Sequence, residues 1–172
     1  MNNHVHLLVR SEQCDSLART MKRVQSEYAF YVNRKRHQAS GHLWQSRFYS
    51  CPVEGPYVWM TLRYIELNPV RAHIAESPEE YPWSSARYHL GKQPPPNPLE
   101  FKTWQEQWSC ETWREALRST RAEEAGVIRT ATQKSVPLGS PEFVRMLEEN
   151  AGRTLVPRSV GRPNLCEGAP SD

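Results

Sequence analysis

Two short stretches of this sequence hold residue types at spacings that can do chemistry. His4-Val5-His6 sets two imidazoles two residues apart. In a β-strand, residues i and i+2 point to one face, so both rings would stand side by side while Val5 packs inward. Neutral imidazole binds divalent metals well. Alone, such a pair reads more readily as core or surface histidines with satisfied hydrogen bonds. Tyr64-Ile65-Glu66-Leu67-Asn68 is the second stretch. On a helix, positions i and i+4 share a face, which points the Tyr64 hydroxyl and the Asn68 side-chain oxygen the same way. Asn can complete a hard-cation site through its oxygen. A tyrosine taken alone is more often a packed aromatic than a nucleophile. Together the stretches say more. His4, His6 and Asn68 would hold Mg²⁺ or Mn²⁺ with open positions, and that metal would polarise a scissile phosphate. Tyr64 on the facing helix would attack the phosphorus and form a covalent phosphotyrosine, which conserves the phosphodiester energy and allows rejoining.

These residues need elements to position them. Val5 to Val9 is apolar and reads as a short buried strand. Asp15 suits the N-cap of a helix running to about Arg36. Leu17, Met21, Val24, Tyr28 and Tyr31 fall on one face of that helix, with Arg19, Lys22 and Arg23 nearer the other. Leu43 to Val53 alternates, carries Trp44, Phe48 and Tyr49, and predicts a strand or hairpin arm ended by Gly55-Pro56. Pro56 suits the first turn of a helix bearing Tyr57, Met60, Tyr64 and Leu67, and Asn68-Pro69 ends it. Tyr81-Pro82-Trp83-Ser84-Ser85 opens a further short helix, capped by its serines. Pro94-Pro95-Pro96-Asn97-Pro98 is a stiff linker. Ser140-Pro141-Glu142 begins a helix with Phe143, Met146 and Leu147 on one side and Gly152 past its end.

Composition narrows the classes. With 172 residues, 38% hydrophobic, and 14 prolines, the chain has room for about one domain with a modest core and long irregular segments. It has no apolar run long enough for a membrane span and no signal-peptide pattern, which makes the cytoplasm the default location. Cys14, Cys51, Cys110 and Cys166 are widely spaced without a C-x-x-C pair, arguing against a zinc ribbon or a disulfide framework. The net charge of +3 is uneven: between Arg10 and Arg47 stand eight Lys or Arg and three acids. A local surplus of that kind is a footprint for a phosphate backbone, although charge alone fits a solvated helix face as well.

Several phrases, taken in order, resemble one family. Met1-Asn2-Asn3-His4-Val5-His6-Leu7-Leu8-Val9 resembles the HUH motif (His, hydrophobe, His) of single-tyrosine transposases. Gly41-His42-Leu43-Trp44-Gln45-Ser46-Arg47-Phe48 is similar to a strand of that family, and Arg63-Tyr64-Ile65-Glu66-Leu67-Asn68-Pro69-Val70-Arg71-Ala72 looks like its catalytic-helix signature. Tyr81-Pro82-Trp83-Ser84-Ser85 and the stretch from Leu138-Gly139-Ser140 to Gly161-Arg162-Pro163 also look like family phrases. The nearest likeness is to the REP-associated tyrosine transposases of the IS200-like transposase family. It implies that Tyr64 is the nucleophile, that His4 and His6 are metal ligands, and that Asn68 is a third. It further implies a 5′-phosphotyrosine product with a free 3′-OH, on single-stranded hairpin DNA at palindromic repeats.

The fold implied is α+β: a ferredoxin-like antiparallel sheet with packed helices, missing its N-terminal strand-helix-strand, plus a small helical C-terminal extension. The expected organisation is a partial HUH transposase domain at 1–92, a Pro-rich linker at 93–100, a helical region at 101–155 and a disordered tail at 156–172. Unpaired strand edges invite dimerisation, so a homodimer is one expected partner state. Candidates for the DNA path are Arg19, Lys22, Arg23 and Lys35, with Arg47, Arg63 and Arg71 nearer the catalytic elements. Trp44, Phe48 or Trp83 would stack unpaired bases unless core packing claims them. Arg158 and Gly161-Arg162-Pro163 suit an AT-rich minor groove. The alternative to a transposase is a truncated or domesticated relative that binds palindromic DNA without cutting, or a remnant that does not fold.

Overall fold

The computed structural model describes residues 4–36, 43–44, 48–96 and 99–156. Helix α1 spans Ser16–Lys35. Asp15 sits at its N-cap, but the carboxylate makes no cap bond and pairs instead with Arg19 at 3.5 Å. Arg34 and Lys35 in the last turn complement the helix dipole. The apolar spacing that marks this helix in sequence does not bury it. No residue of α1 is buried, and Val24, Tyr28, Phe30 and Tyr31 are all more than half exposed. The Trp44 indole nitrogen donates to the Gln25 carbonyl at 2.9 Å, and its ring lies 5.7 Å from Tyr28.

A 3-10 turn at Gly55–Tyr57, begun by Pro56, leads into α2 (Val58–Glu66). Asn68-Pro69 does not stop the chain from turning further. Pro69 occupies the first turn of a short helix α3 (Asn68–Arg71), where its missing N–H costs nothing. The Leu67 and Arg71 amides donate to the Arg63 and Leu67 carbonyls, so α3 nearly continues α2. A second 3-10 turn, Pro78–Glu80, precedes the short helices α4 (Ala86–His89) and α5 (Lys102–Gln105). Then come α6 (Cys110–Arg118), α7 (Ala122–Lys134) and α8 (Pro141–Ala151). Helix α8 forms as its sequence dictates: Ser140 accepts from the Phe143 amide, Pro141 fills the first turn, and Gly152 closes the end in the left-handed region at φ 61°.

Among the described residues the expected ferredoxin-like antiparallel sheet is not present. Among the described residues there is no strand, and the nearest approach to one is a single parallel bridge between Val53 and Leu138. The reason is pairing. A strand exists only when a neighbouring backbone accepts and donates its ladder bonds, and residues 4–10 find no such neighbour among the described residues. Val5, Leu7 and Val9 are accordingly about 60% exposed or more instead of buried. The arm expected over Leu43 to Val53 contributes only the Val53 bridge among its described residues. The chain is thus a helical protein over its described residues, and the α+β reading is corrected on this point.

Helix α2 is the axis of the core because both of its sides are apolar. Trp59 and Leu62 pack, with Leu67, against Leu90, Trp104, Trp113, Ala116 and Leu117. Tyr57, Met60, Tyr64 and Ile65 belong to a second cluster with Ala125, Ile128, Ala131 and Leu138. Residues from both sides of the Pro-rich 93–100 stretch therefore share these cores; Asn97 and Pro98 lie outside the described residues, as does the tail from 157 to 172. No helix of the described residues is long and apolar enough to cross a membrane.

A small clasp closes the second cluster. The Glu54 carboxylate accepts from the Ser140 amide at 2.6 Å and its hydroxyl at 3.1 Å, beside the Val53–Leu138 bridge. Gly139 is enclosed there: a Cβ at this position would lie 2.9 Å from Glu54 Cβ and collide with the Phe143 ring. Overpacking of this kind typically costs about 1–3 kcal/mol. Gly139→Ala is therefore expected to lower the urea midpoint by a matching amount. An unchanged midpoint would mean that Phe143 and Glu54 yield freely.

Candidate active site

The near-continuity of α2 and α3 puts Tyr64, Asn68 and Arg71 at positions i, i+4 and i+7 of one helical face. Tyr64 is 7% exposed and packs in the α7 cluster. The Arg71 guanidinium lies over its ring, 4.3 Å from the centroid. The same guanidinium donates to the Tyr64 carbonyl at 2.5 Å and reaches the Asn68 side-chain oxygen at 3.4 Å. Asn68 is thus tied to Arg71, as a side-chain amide at the end of a helical turn can be. Burial pushes the Arg71 pKa down; Tyr64 opposes this shift, and the positive charge of Arg129 adds to it.

The histidines come from the other side. His6 is half-buried, and its ring meets Tyr64 edge-on with centroids 6.0 Å apart. His4 is exposed and meets His6 edge-on at 5.2 Å. The expected face-sharing of the two imidazoles is therefore achieved by an irregular segment. Burial, then the neighbouring His4, then Arg71 lower the pKa of His6. The sign favours the neutral ring, which is the form that carries a free lone pair for a metal. The donor set available is two imidazoles and one amide oxygen. Among the described residues no three His, Cys, Asp or Glu side chains cluster as a metal group, so a metal would depend on Asn68 or on oxygens from substrate and water to complete its shell.

The other sequence candidates divide by location. Arg63 does not face this wall; it pairs with Glu124 of α7 at 2.8 Å, with both side chains largely buried. Arg19, Lys22, Arg23 and Lys35 are all exposed on α1. Arg23 pairs with Glu27 at 2.8 Å, and the Lys35 ammonium lies 5.9 Å from the Tyr31 ring centre. Exposed pairs of that kind are weak and exchangeable. Arg47, Arg158 and Gly161-Arg162-Pro163 lie outside the described residues. Of the stacking candidates, Trp44 is engaged with α1, Phe48 is half-buried, and Trp83 is 85% exposed.

Glu66, two residues beyond Tyr64, was not singled out by sequence reasoning. Its side chain is 0% exposed and points away from the Tyr64 wall. It accepts from the Ser85 hydroxyl at 2.6 Å, His89 Nδ1 at 2.5 Å and the Trp113 indole at 2.8 Å. His89 stacks on both Phe101 and Trp104, with ring centroids at 5.2 and 4.7 Å, and those two rings meet each other at 4.8 Å. One carboxylate thus pins α2 to α4 and α6, and thereby fixes the rotation that presents Tyr64. Ser85, expected as a helix cap, spends its hydroxyl on Glu66; Ser84 supplies the cap contact, accepting from the Ala86 amide at 3.2 Å. A signal for Glu66 was available: an acid between apolar neighbours on a helix with two apolar sides must find buried donors.

Comparison with known proteins adds one finding. Residues 1–68 match the family model described as transposase IS200 like. Neither a curated protein nor a solved structure matches the chain. The matched segment takes in His4, His6, Tyr64 and Asn68, while Arg71 and the helices that pack around α2 lie beyond it.

Proposed function

We propose, from the match of residues 1–68 to the IS200-like transposase family, that this chain cleaves and rejoins single-stranded DNA at hairpin-flanked palindromic repeats through Tyr64. The family implies a transposase acting on DNA. The finer reading rests on one observation: Tyr64 shares a wall with His6 at 6.0 Å and the Arg71 cation at 4.3 Å. In the proposed step the phenolic oxygen attacks phosphorus and the bond from phosphorus to the 3′ oxygen breaks. The protein keeps a 5′-phosphotyrosine, and the released strand keeps a 3′-OH bearing the proton that Tyr64 lost. Attack by that hydroxyl, or by another, reverses the step and rejoins the strand.

His4, His6 and Asn68 are the residues that would hold Mg²⁺ or Mn²⁺. When bound, such an ion supplies Lewis-acid stabilisation of charge on the phosphate. This chain's own residues orient Tyr64 through Glu66, keep His6 neutral by burial, and offer Arg71 to the developing negative charge. The test is a denaturing gel of the full chain with single-stranded hairpin oligonucleotides. A covalent protein–DNA band that requires Mg²⁺ or Mn²⁺ and disappears with chelator supports the reading. Hairpin binding with no covalent band would favour the relative that binds without cutting.

The exposed cations of α1 are proposed to track the backbone of the bound strand. Lys22→Ala is expected to weaken binding alike across sequences and to reduce the slope of log K against log salt by about one unit. An unchanged slope would remove Lys22 from the DNA path.

A further inference from the structure

We infer that the cavity beside α5 and the start of α6 is a binding site for a guanidinium cation, the head of an arginine side chain. Its lining includes Tyr88, Phe101, Trp104, Trp108 and Glu111. The volume is about 470 Å³, inside the usual range for small-ligand sites. The cavity stands apart from Tyr64. Trp104 and Trp108 belong to the other apolar cluster along α2, and both lie beyond the segment that matches the transposase family. The inference therefore does not rest on the nuclease reading.

The walls are aromatic and already packed. Trp104 is 4% exposed and meets Phe101 at 4.8 Å, while Trp108 meets the buried Trp113 at 5.0 Å. No Lys, Arg or His lines the cavity, and Glu111 is its one charged group. The Glu111 carboxylate accepts from the Ser109 hydroxyl at 3.0 Å and forms no ion pair among the described residues. Its own backbone amide, then Ser109, then the charge of Arg114 hold its pKa below the usual range, so it stays ionised. The cavity is thus opposite in sign to the basic surface of α1 and repels a phosphate. Aromatic rings attract cations through their electron-rich faces. Among organic cations the guanidinium fits this lining best. It is planar and weakly hydrated, it stacks on aromatic rings, and its forked donors match a carboxylate. An ammonium head keeps its water more tightly and cannot stack.

The test uses Nα-acetylarginine methylamide, titrated into the full chain with ¹⁵N-labelled tryptophan. The Trp104 and Trp108 indole resonances are expected to shift saturably. The midpoint should move to roughly tenfold higher probe in Glu111→Gln, the size of one charged hydrogen bond. Gln105, also on the lining, allows a second variant: Gln105→Lys puts a like charge at the cavity and should weaken binding at least as much. Glu111 and Gln105 are exposed, so both replacements leave the fold in place. The citrulline analogue keeps the shape without the charge and should not saturate. An arginine probe that leaves both indoles unmoved, a citrulline analogue that binds as tightly, or a midpoint unchanged in Glu111→Gln overturns the inference. Saturation by thymidine monophosphate in place of the arginine probe would make the cavity a nucleotide site and overturn it as well.

Discussion

Tyr64→Phe is expected to abolish the covalent protein–DNA band, by roughly 10³-fold or more, while leaving hairpin binding and the fold intact. Loss of a nucleophile removes the chemical step outright, and the remaining groups cannot substitute for it. The substitution is clean because of how Tyr64 is held. Its ring fills the cluster of Ala125, Ile128, Ala131 and Leu138, and its face carries Arg71. Phe keeps the ring, the packing and the cation above it. The melting temperature should therefore stay within about 4 °C of the parent. The same denaturing gel reads the result, with a mobility-shift assay to verify binding. A covalent band that persists in Tyr64→Phe assigns the nucleophile elsewhere.

Glu66→Ala is expected to cost about 3–5 kcal/mol, the range for removing one partner from a buried charged network. Three donors lose their acceptor together: the Ser85 hydroxyl, His89 Nδ1 and the Trp113 indole. Trp113 is 0% exposed and His89 2%, so water cannot replace the carboxylate without opening the core. Glu66→Gln should fall between Ala and the parent, because its amide nitrogen faces a donor where an acceptor stood. Urea unfolding followed by tryptophan fluorescence measures this directly. A Glu66→Ala midpoint equal to that of the parent would show that the network contributes nothing. A total stability of about 5–15 kcal/mol is usual for a domain, so this substitution takes a large share of it, although Glu66 never faces the proposed substrate.

These two residues also mark what sequence could and could not disclose. Tyr64 and Asn68 were legible because a helix converts a four-residue spacing into a shared face with no outside help. Helix α8 was legible for the same reason: Ser140, Pro141 and Gly152 cap it through bonds within a turn. The family resemblance was legible in the phrases around His4 and Tyr64, and the match over residues 1–68 agrees with it. Glu66 was not legible as a clamp, because its donors come from positions 85, 89 and 113. The pairing of Arg63 with Glu124 on α7 was not legible either, because its partner stands 61 residues away. The sheet failed for a related reason. Alternation and apolar runs specify a strand's faces but not its neighbour, and strand pairing is a relation between distant segments.

The unequal burial of the two histidines and the tyrosine carries a kinetic meaning. Tyr64 belongs to a body knit by two apolar clusters and the Glu66 network. His4 and His6 ride on a segment whose Val5, Leu7 and Val9 are largely in water, next to a helix with no buried residue. Segments with so few buried contacts open at low free energy, whereas the α2 core opens only with the whole domain. The competent arrangement then exists for only a fraction of the time, and the apparent affinity for any ligand that needs both halves is divided by that fraction. Anything that covers the apolar side of residues 4–9 raises the fraction without touching the reacting groups. For the proposed cleavage, turnover would thus be tuned by what covers the outer side of the segment that carries His4 and His6, with Tyr64 held ready throughout.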